Sequence, residues 1–137
     1  MTSIEIHGRR IRAALSGFYA AAGLAHLAFP QPFLTITPDW VPYAPLVIFV
    51  TGLCELAGAL GLWLCSMRRY AAIGLALYAV CVFPANIKHA VDALGASSAS
   101  ILEWTYHLIR LSLQPLIFWL ALFAGEVTAW PFNRKKS

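Results

Sequence analysis

Four apolar stretches dominate this chain of 137 residues, at residues 11–29, 46–65, 70–89 and 106–125. Each comes close to the roughly 20 residues that a helix needs to cross the hydrocarbon core of a bilayer. Lipid offers the backbone no hydrogen-bonding partner, so each stretch is expected to be helical. Composition closes off a soluble domain. Apolar residues make up 60% of the chain and charged residues only 12%, about half the usual share. A small soluble domain exposes too much surface to be covered by so few charges. The expected fold is all-α: an integral membrane four-helix transmembrane bundle, a single domain over residues 1–137. The first stretch lacks the small-x-small exit of a cleavable signal peptide and is too long for one.

The connectors carry the topology signal. Pro30, Pro32, Pro38, Pro42 and Pro45 break the first, Ser66-Met67-Arg68-Arg69 makes a tight second, and residues 93–105 read as a flexible third. The formal net charge is +4, and its sources are clustered. Arg9, Arg10 and Arg12 cluster at the start of the first stretch, Arg68 and Arg69 separate the second from the third, and Arg134, Lys135 and Lys136 follow the fourth. No basic stripe with interleaved aromatics is present, so nucleic acid is not an expected partner. With four spans these three basic segments share one side, and the positive-inside rule makes both termini cytoplasmic. Asp39, Asp92 and Glu103 fall on the other side. Trp40, Tyr43, Trp104 and Tyr106 form an outer aromatic belt, and Trp63, Tyr70 and Trp130 an inner one. Cys54, Cys65 and Cys81 all lie in apolar stretches without a CxxC motif, and are expected to be buried free thiols. Gly17, Ala21, Gly52, Ala57, Gly58, Gly61 and Gly74 are expected to let helices pack closely.

The intramembrane polar groups are the informative residues. At about 1.5 Å per residue, His26, Asn86 and Arg110 lie about 5–6 Å below the outer boundary, and Glu55 and Gln114 about 12–13 Å below it. All four helices thus supply polar groups to the outer half. Side chains lean toward a helix N-terminus, which brings Glu55 and Arg110 toward one level. An unpaired charge at mid-span costs about 2.5–3.5 kcal/mol on insertion scales, so a buried Glu55–Arg110 ion pair is the expected resolution. Gln114, Asn86 and His26 would complete its hydrogen bonds. Pro84 and Pro115 free the carbonyls of Val80 and Leu111, either toward a polar cavity or into ordinary packing. Lys88 and His89 close the third span, where snorkelling explains them. A solvated role suits His7 and His107, although His107 also stands in the belt beside the cluster.

Four short motifs resemble the DoxX-like family of small four-helix bacterial membrane proteins. They are Gly23-Leu-Ala-His26 with the following Phe29-Pro30, Gly52-Leu-Cys-Glu55-Leu-Ala-Gly58, Phe83-Pro-Ala-Asn86-Ile87, and Arg110-Leu-Ser-Leu-Gln114. The resemblance spans about residues 12–122, and the family positions map onto His26, Glu55, Asn86, Arg110 and Gln114. Lys88 and His89 depart from its pattern. It implies a bacterial inner-membrane location and links to thiosulfate and quinone electron transfer or oxidative-stress complexes.

The leading expectation is a redox-associated membrane protein that binds a lipophilic small molecule, such as a quinone, in the outer-half cavity. Glu55, His26 and Arg110 are the candidate catalytic residues, and Asn86, Gln114 and His107 the candidate ligand-binding residues. No cofactor is encoded, a bound quinone being the candidate ligand, so electrons would come from a redox partner subunit or from the ligand itself. The lipid bilayer is the other partner, and a homo-oligomer is compatible with the chain. Two other classes stay open: a stand-alone intramembrane acid–base enzyme (isomerase, hydrolase or cyclase), which needs His26 within reach of Glu55, and a non-catalytic scaffold or assembly subunit. A proton-coupled exporter fits poorly, because the carboxylate lies on the second span beside an arginine. A bis-histidine haem site fits poorly as well, because the histidines lie near the outer edge. No metal-ligand spacing, phosphate-cradling loop or nucleophile–base motif is present.

Overall fold

The computed structural model describes residues 3–95 and 98–130, with side chains from Glu5 onward. Arg134, Lys135 and Lys136, and residues 96–97 of the third connector, lie outside the described residues. Five helices make up the described chain: α1 (Ser3–Ala28), α2 (Gln31–Ile36), α3 (Ala44–Gly61), α4 (Arg68–Leu94) and α5 (Ile101–Ala124). Proline sets the start of α2 and α3, where the missing N–H costs no helical hydrogen bond. Between α2 and α3, Tyr43 adopts a left-handed conformation (φ 51°) that turns the chain into α3. A capping box opens α5, with Ser100 and Glu103 exchanging hydrogen bonds. Both Pro84 and Pro115 lie inside unbroken helices.

The elements differ from the sequence expectation at their ends. The third connector shrinks, because α4 runs five residues past His89 and α5 begins five residues before Tyr106. The Ser-x-x-Glu signature at 100–103 marks that start. The short helix α2 lies where prolines alone suggested a loop.

The four long helices form an antiparallel ring in which α1 packs on α3, α3 on α4, α4 on α5 and α5 on α1. Helix α2 covers one end, against α3 and α4. The centre of the bundle is built from small residues: Ala59, Ala72, Ala76, Ala121 and Ala124 are buried, with Leu15, Tyr19, Leu62 and Leu75 among them. The large apolar side chains point the other way. Leu24, Leu60, Leu77, Val80, Leu108 and Ile109 are all more than half exposed. A soluble bundle buries such residues, so this distribution suits a surface covered by lipid.

Three helices, α3, α4 and α5, are long and apolar enough to cross a membrane, one fewer than the four expected. Helix α1 has the length but not the composition. Arg12, Ser16, Tyr19 and His26 interrupt it, and alanine fills positions that leucine and isoleucine hold in α3 and α5. Its polar groups turn inward instead. Arg12, 5% exposed, donates from Nε and Nη2 to the Ala124 carbonyl (3.1 and 3.0 Å) at the end of α5 and from Nη2 to Glu126 (3.0 Å). Arg68 donates to the same Glu126 oxygen at 3.0 Å and to the Leu62 carbonyl at 3.2 Å. Two of the expected cytoplasmic charges therefore tie the helix ends together, favourably placed at the negative end of the α5 dipole.

Two other expectations are corrected. All three cysteines are free as expected, but they are exposed on the bundle surface rather than buried. Gly17 and Gly74 face open space, whereas Gly23 and Gly52 sit where α1 and α3 touch. A Cβ on Gly23 would lie 2.8 Å from the Gly52 carbonyl oxygen, so only glycine permits this approach. Gly23→Val should accordingly destabilise the bundle by about 1–3 kcal/mol through overpacking. Gly17→Ala, made in open helix surface, should leave the melting temperature in detergent unchanged or raise it. Equal melting temperatures for Gly23→Val and wild type would count against this packing.

Candidate functional site

The approach of α1 on α3 builds the first polar site. A Cβ on Gly52 would lie 3.0 Å from the Cβ of His26, and Glu55 follows Gly52 by three residues, on the same face of α3. The carboxylate leans back toward the α3 N-terminus and meets the imidazole. His26 Nδ1 stands 2.8 Å from Glu55 Oε2 and 2.9 Å from the Ala22 carbonyl oxygen. The aligned hydrogen bond goes to Ala22, which leaves Oε2 in ion-pair contact but without an aligned donor among the described residues. On the other side, α4 brings Tyr78, one turn beyond the Gly58–Leu75 contact, and its hydroxyl donates to Glu55 Oε1 at 2.8 Å. Glu55 is 3% exposed. The buried ring of Tyr19 packs edge-on against Tyr78, and Phe33 of α2 stacks on His26 with ring centroids 3.8 Å apart.

The second site joins α4 and α5. Arg110 donates from Nη2 to Asn86 Oδ1 and, from Nη1, faces His89 Nδ1 at 2.6 Å. Because arginine only donates, His89 Nδ1 accepts, and the proton of that ring is on Nε2. Asn86 passes a hydrogen bond on to Gln114 (3.1 Å), which donates in turn to the Ala79 carbonyl (2.6 Å). The reached carbonyl is thus Ala79, next to the Val80 carbonyl that Pro84 was expected to free. His107, 3% exposed, meets His89 edge-on at 4.9 Å between ring centroids, and its Nδ1 is buried without a hydrogen-bond partner among the described residues. The Arg110 guanidinium stands 6.0 Å from the Tyr106 ring centroid.

The residues expected to form one cluster therefore form two, and the expected Glu55–Arg110 ion pair is not made. Glu55 and Arg110 are on α3 and α5, diagonal helices of the ring, each packed against the same two neighbours instead of facing one another. Along α4 their partners Tyr78 and Asn86 are eight residues apart, about 12 Å. Depth estimates from sequence carry no information about which helices are neighbours, and this is why they merged the sites. The chain of Arg110, Asn86 and Gln114 is assembled as expected, and so is the contact of His26 with Glu55. His107 is corrected, being buried rather than solvated, while His89 is half-buried against Arg110 and α4 continues past it. Lys88, its side chain 40% exposed, pairs with Asp92 one turn further along α4. Tyr78, Tyr19 and Phe33 escaped the sequence reading. A mid-span tyrosine needs a partner for its hydroxyl, and that requirement alone marks Tyr78.

A double-mutant cycle separates the two arrangements. Glu55→Gln and Arg110→Leu should add in detergent melts to within about 0.5 kcal/mol, as unconnected sites do. Glu55→Gln and His26→Phe share a contact and should couple by about 0.5–3 kcal/mol. Strong coupling of Glu55 to Arg110 would contradict the two-site geometry.

Among the described residues no group of three or more His, Cys, Asp or Glu is placed to hold a metal ion. No curated protein and no solved structure matches the chain. One family model does match, that of the domain of unknown function DUF8561, over residues 15–124. It overturns the resemblance to the DoxX-like family. Two of the short motifs behind that resemblance pair glycine with a polar residue and the other two place polar residues among apolar ones, patterns that any tightly packed helical bundle with buried polar groups can share. The match runs from within α1 to the last residue of α5 and takes in Glu55, Tyr78, Asn86 and Arg110. The chain belongs to the DUF8561 family.

Proposed function

We propose that this chain is an integral membrane protein that binds a lipophilic small molecule against Glu55, His26 and Tyr78 and exchanges a proton with it there. One observation carries the reading. Glu55 is 3% exposed within an apolar bundle, yet among the described residues its Oε2 has no aligned donor while a histidine nitrogen stands 2.8 Å away. A buried ionisable group in an apolar helix is costly, and such groups commonly mark binding sites and proton relays. A hydroxyl or a protonated ring oxygen would give Oε2 the donor it lacks. With Nδ1 turned to Ala22, the Nε2 of a neutral His26 is an acceptor. A quinone or quinol, apolar in body and polar at two oxygens, is a ligand class with this chemistry. Electrons would then come from a partner subunit.

The contact between His26 and Glu55 favours a second reading, a stand-alone acid–base enzyme on a lipophilic substrate. General acid–base catalysis needs such a group within hydrogen-bond reach of the proton it moves, and a neighbouring second group can take that proton on. In either case we place α1 in the membrane beside the three more apolar helices. Both termini then lie on the cytoplasmic side of the plasma membrane, following the basic segments.

Native mass spectrometry of the detergent-purified protein, with organic extraction of what stays bound, tests the proposal. Wild type should retain a lipophilic molecule that a folded Glu55→Gln variant loses. If purified wild type also converts that molecule and His26→Phe does not, the enzymatic reading prevails. An empty wild type, folded as well as the variant, would instead make the site architecture and the chain a scaffold.

A further inference from the structure

The Arg110 site is electrically incomplete. Its guanidinium is partly buried nine residues inside α5, about 13 Å from the start of that helix. Among the described residues its hydrogen-bond partners, Asn86 and His89, are neutral acceptors, and it takes part in no ion pair. The acids at this end of α4 and α5 have their own hydrogen-bond partners, although Asp92 also acts electrostatically on His89 and Glu103 on His107. Asp92 pairs with Lys88, and Glu103 caps α5 through Ser100. A cation in an apolar bundle without a counter-charge is expensive, and the usual remedy is an anion. Beside it a second group lacks a hydrogen-bond partner among the described residues: His107 Nδ1, in a residue 3% exposed. His89 accepts from Arg110 and so has its Nε2–H to give.

We infer that Arg110, His89 and His107 form a binding site for an oxyanion, the carboxylate or phosphate group of a lipid headgroup or of a small solute. Arg110 supplies the charge, the two histidines supply donors, and Asn86 holds the guanidinium in place while its own amide is held by Gln114. Tyr106 and Ile109, which flank the site on α5, are exposed. This inference is independent of the Glu55 reading, because the two sites share no residue.

The test is a thermal-shift titration of the full chain in a neutral detergent, at constant ionic strength balanced with sodium chloride. Sodium phosphate and sodium acetate are the solute probes. Phosphatidylglycerol against phosphatidylcholine, each added as mixed micelles, is the lipid pair. Wild type should be stabilised in a saturable way by at least one anionic probe. A response to phosphate or acetate identifies a solute site, and a response to phosphatidylglycerol alone identifies a headgroup site. Arg110→Gln should weaken the response at least about tenfold, the loss of one charge-assisted hydrogen bond. His107→Phe guards against a folding artefact. It removes a buried nitrogen without a partner, so the unliganded variant should melt no lower than wild type while binding is weakened. No saturable shift with any probe, or equal shifts in wild type and His107→Phe, would overturn the inference.

Discussion

A carboxylate buried in an apolar bundle has to be held by its neighbours, and the arrangement of α1, α3 and α4 follows from holding Glu55. Its two oxygens face different helices. Oε1 takes the Tyr78 hydroxyl from α4 and Oε2 lies against the His26 ring of α1. Neither partner reaches unless the helices approach closely. On the α1 side that approach depends on Gly23 against Gly52, and on the α4 side on Gly58 against Leu75. The small residues along α3 thus serve electrostatics as well as packing: Gly52, Glu55 and Gly58 follow one another at three-residue spacing along one face.

The same economy explains the inverted distribution of size. A core of alanine and glycine lets helix backbones come close enough for short side chains to hydrogen-bond across them, and leaves leucine and tryptophan for the outer surface. Arg12 fits this pattern at the opposite end from α2. It is long enough to cross from α1 to the last carbonyls of α5, and Glu126, itself in a left-handed conformation (φ 60°), takes up both Arg12 and Arg68. A residue that counts as a positive charge in a topology rule is therefore also a clasp between the first and last helices.

Helical class and most helix centres were legible from apolar run length, because lipid leaves the backbone no alternative. Helix ends were less so. His89 and Tyr106 read as boundaries on polarity alone, although the Ser100–Glu103 box placed the true start of α5 in plain view. The number of apolar spans was overread in α1, where run length counted and side-chain polarity did not. For the site, the residue set was legible and the pairing was not. His26, Glu55, Asn86, Arg110 and Gln114 stand out as polar groups in apolar helices. Their partners depend on the order of helices around the ring, and depth along an axis does not encode that order. Opposite charge was a reasonable guide in its absence, and it pointed across the diagonal.

Separating the acid from the base changes what each can do. Had Glu55 and Arg110 met, each would have neutralised the other, and the cluster would have been satisfied from within. Placed on diagonal helices, with partners about 12 Å apart along α4, they leave two sites of opposite character. At one, an acid faces a histidine and a tyrosine, groups that trade protons or hydrogen bonds. At the other, a base is held by an amide and a histidine that cannot cancel its charge. Burial without internal neutralisation costs stability, and a bundle of alanine and glycine has little to spare. The bundle keeps the two groups apart all the same, and among the described residues each site holds one buried atom without an aligned hydrogen-bond partner, Glu55 Oε2 at the first and His107 Nδ1 at the second.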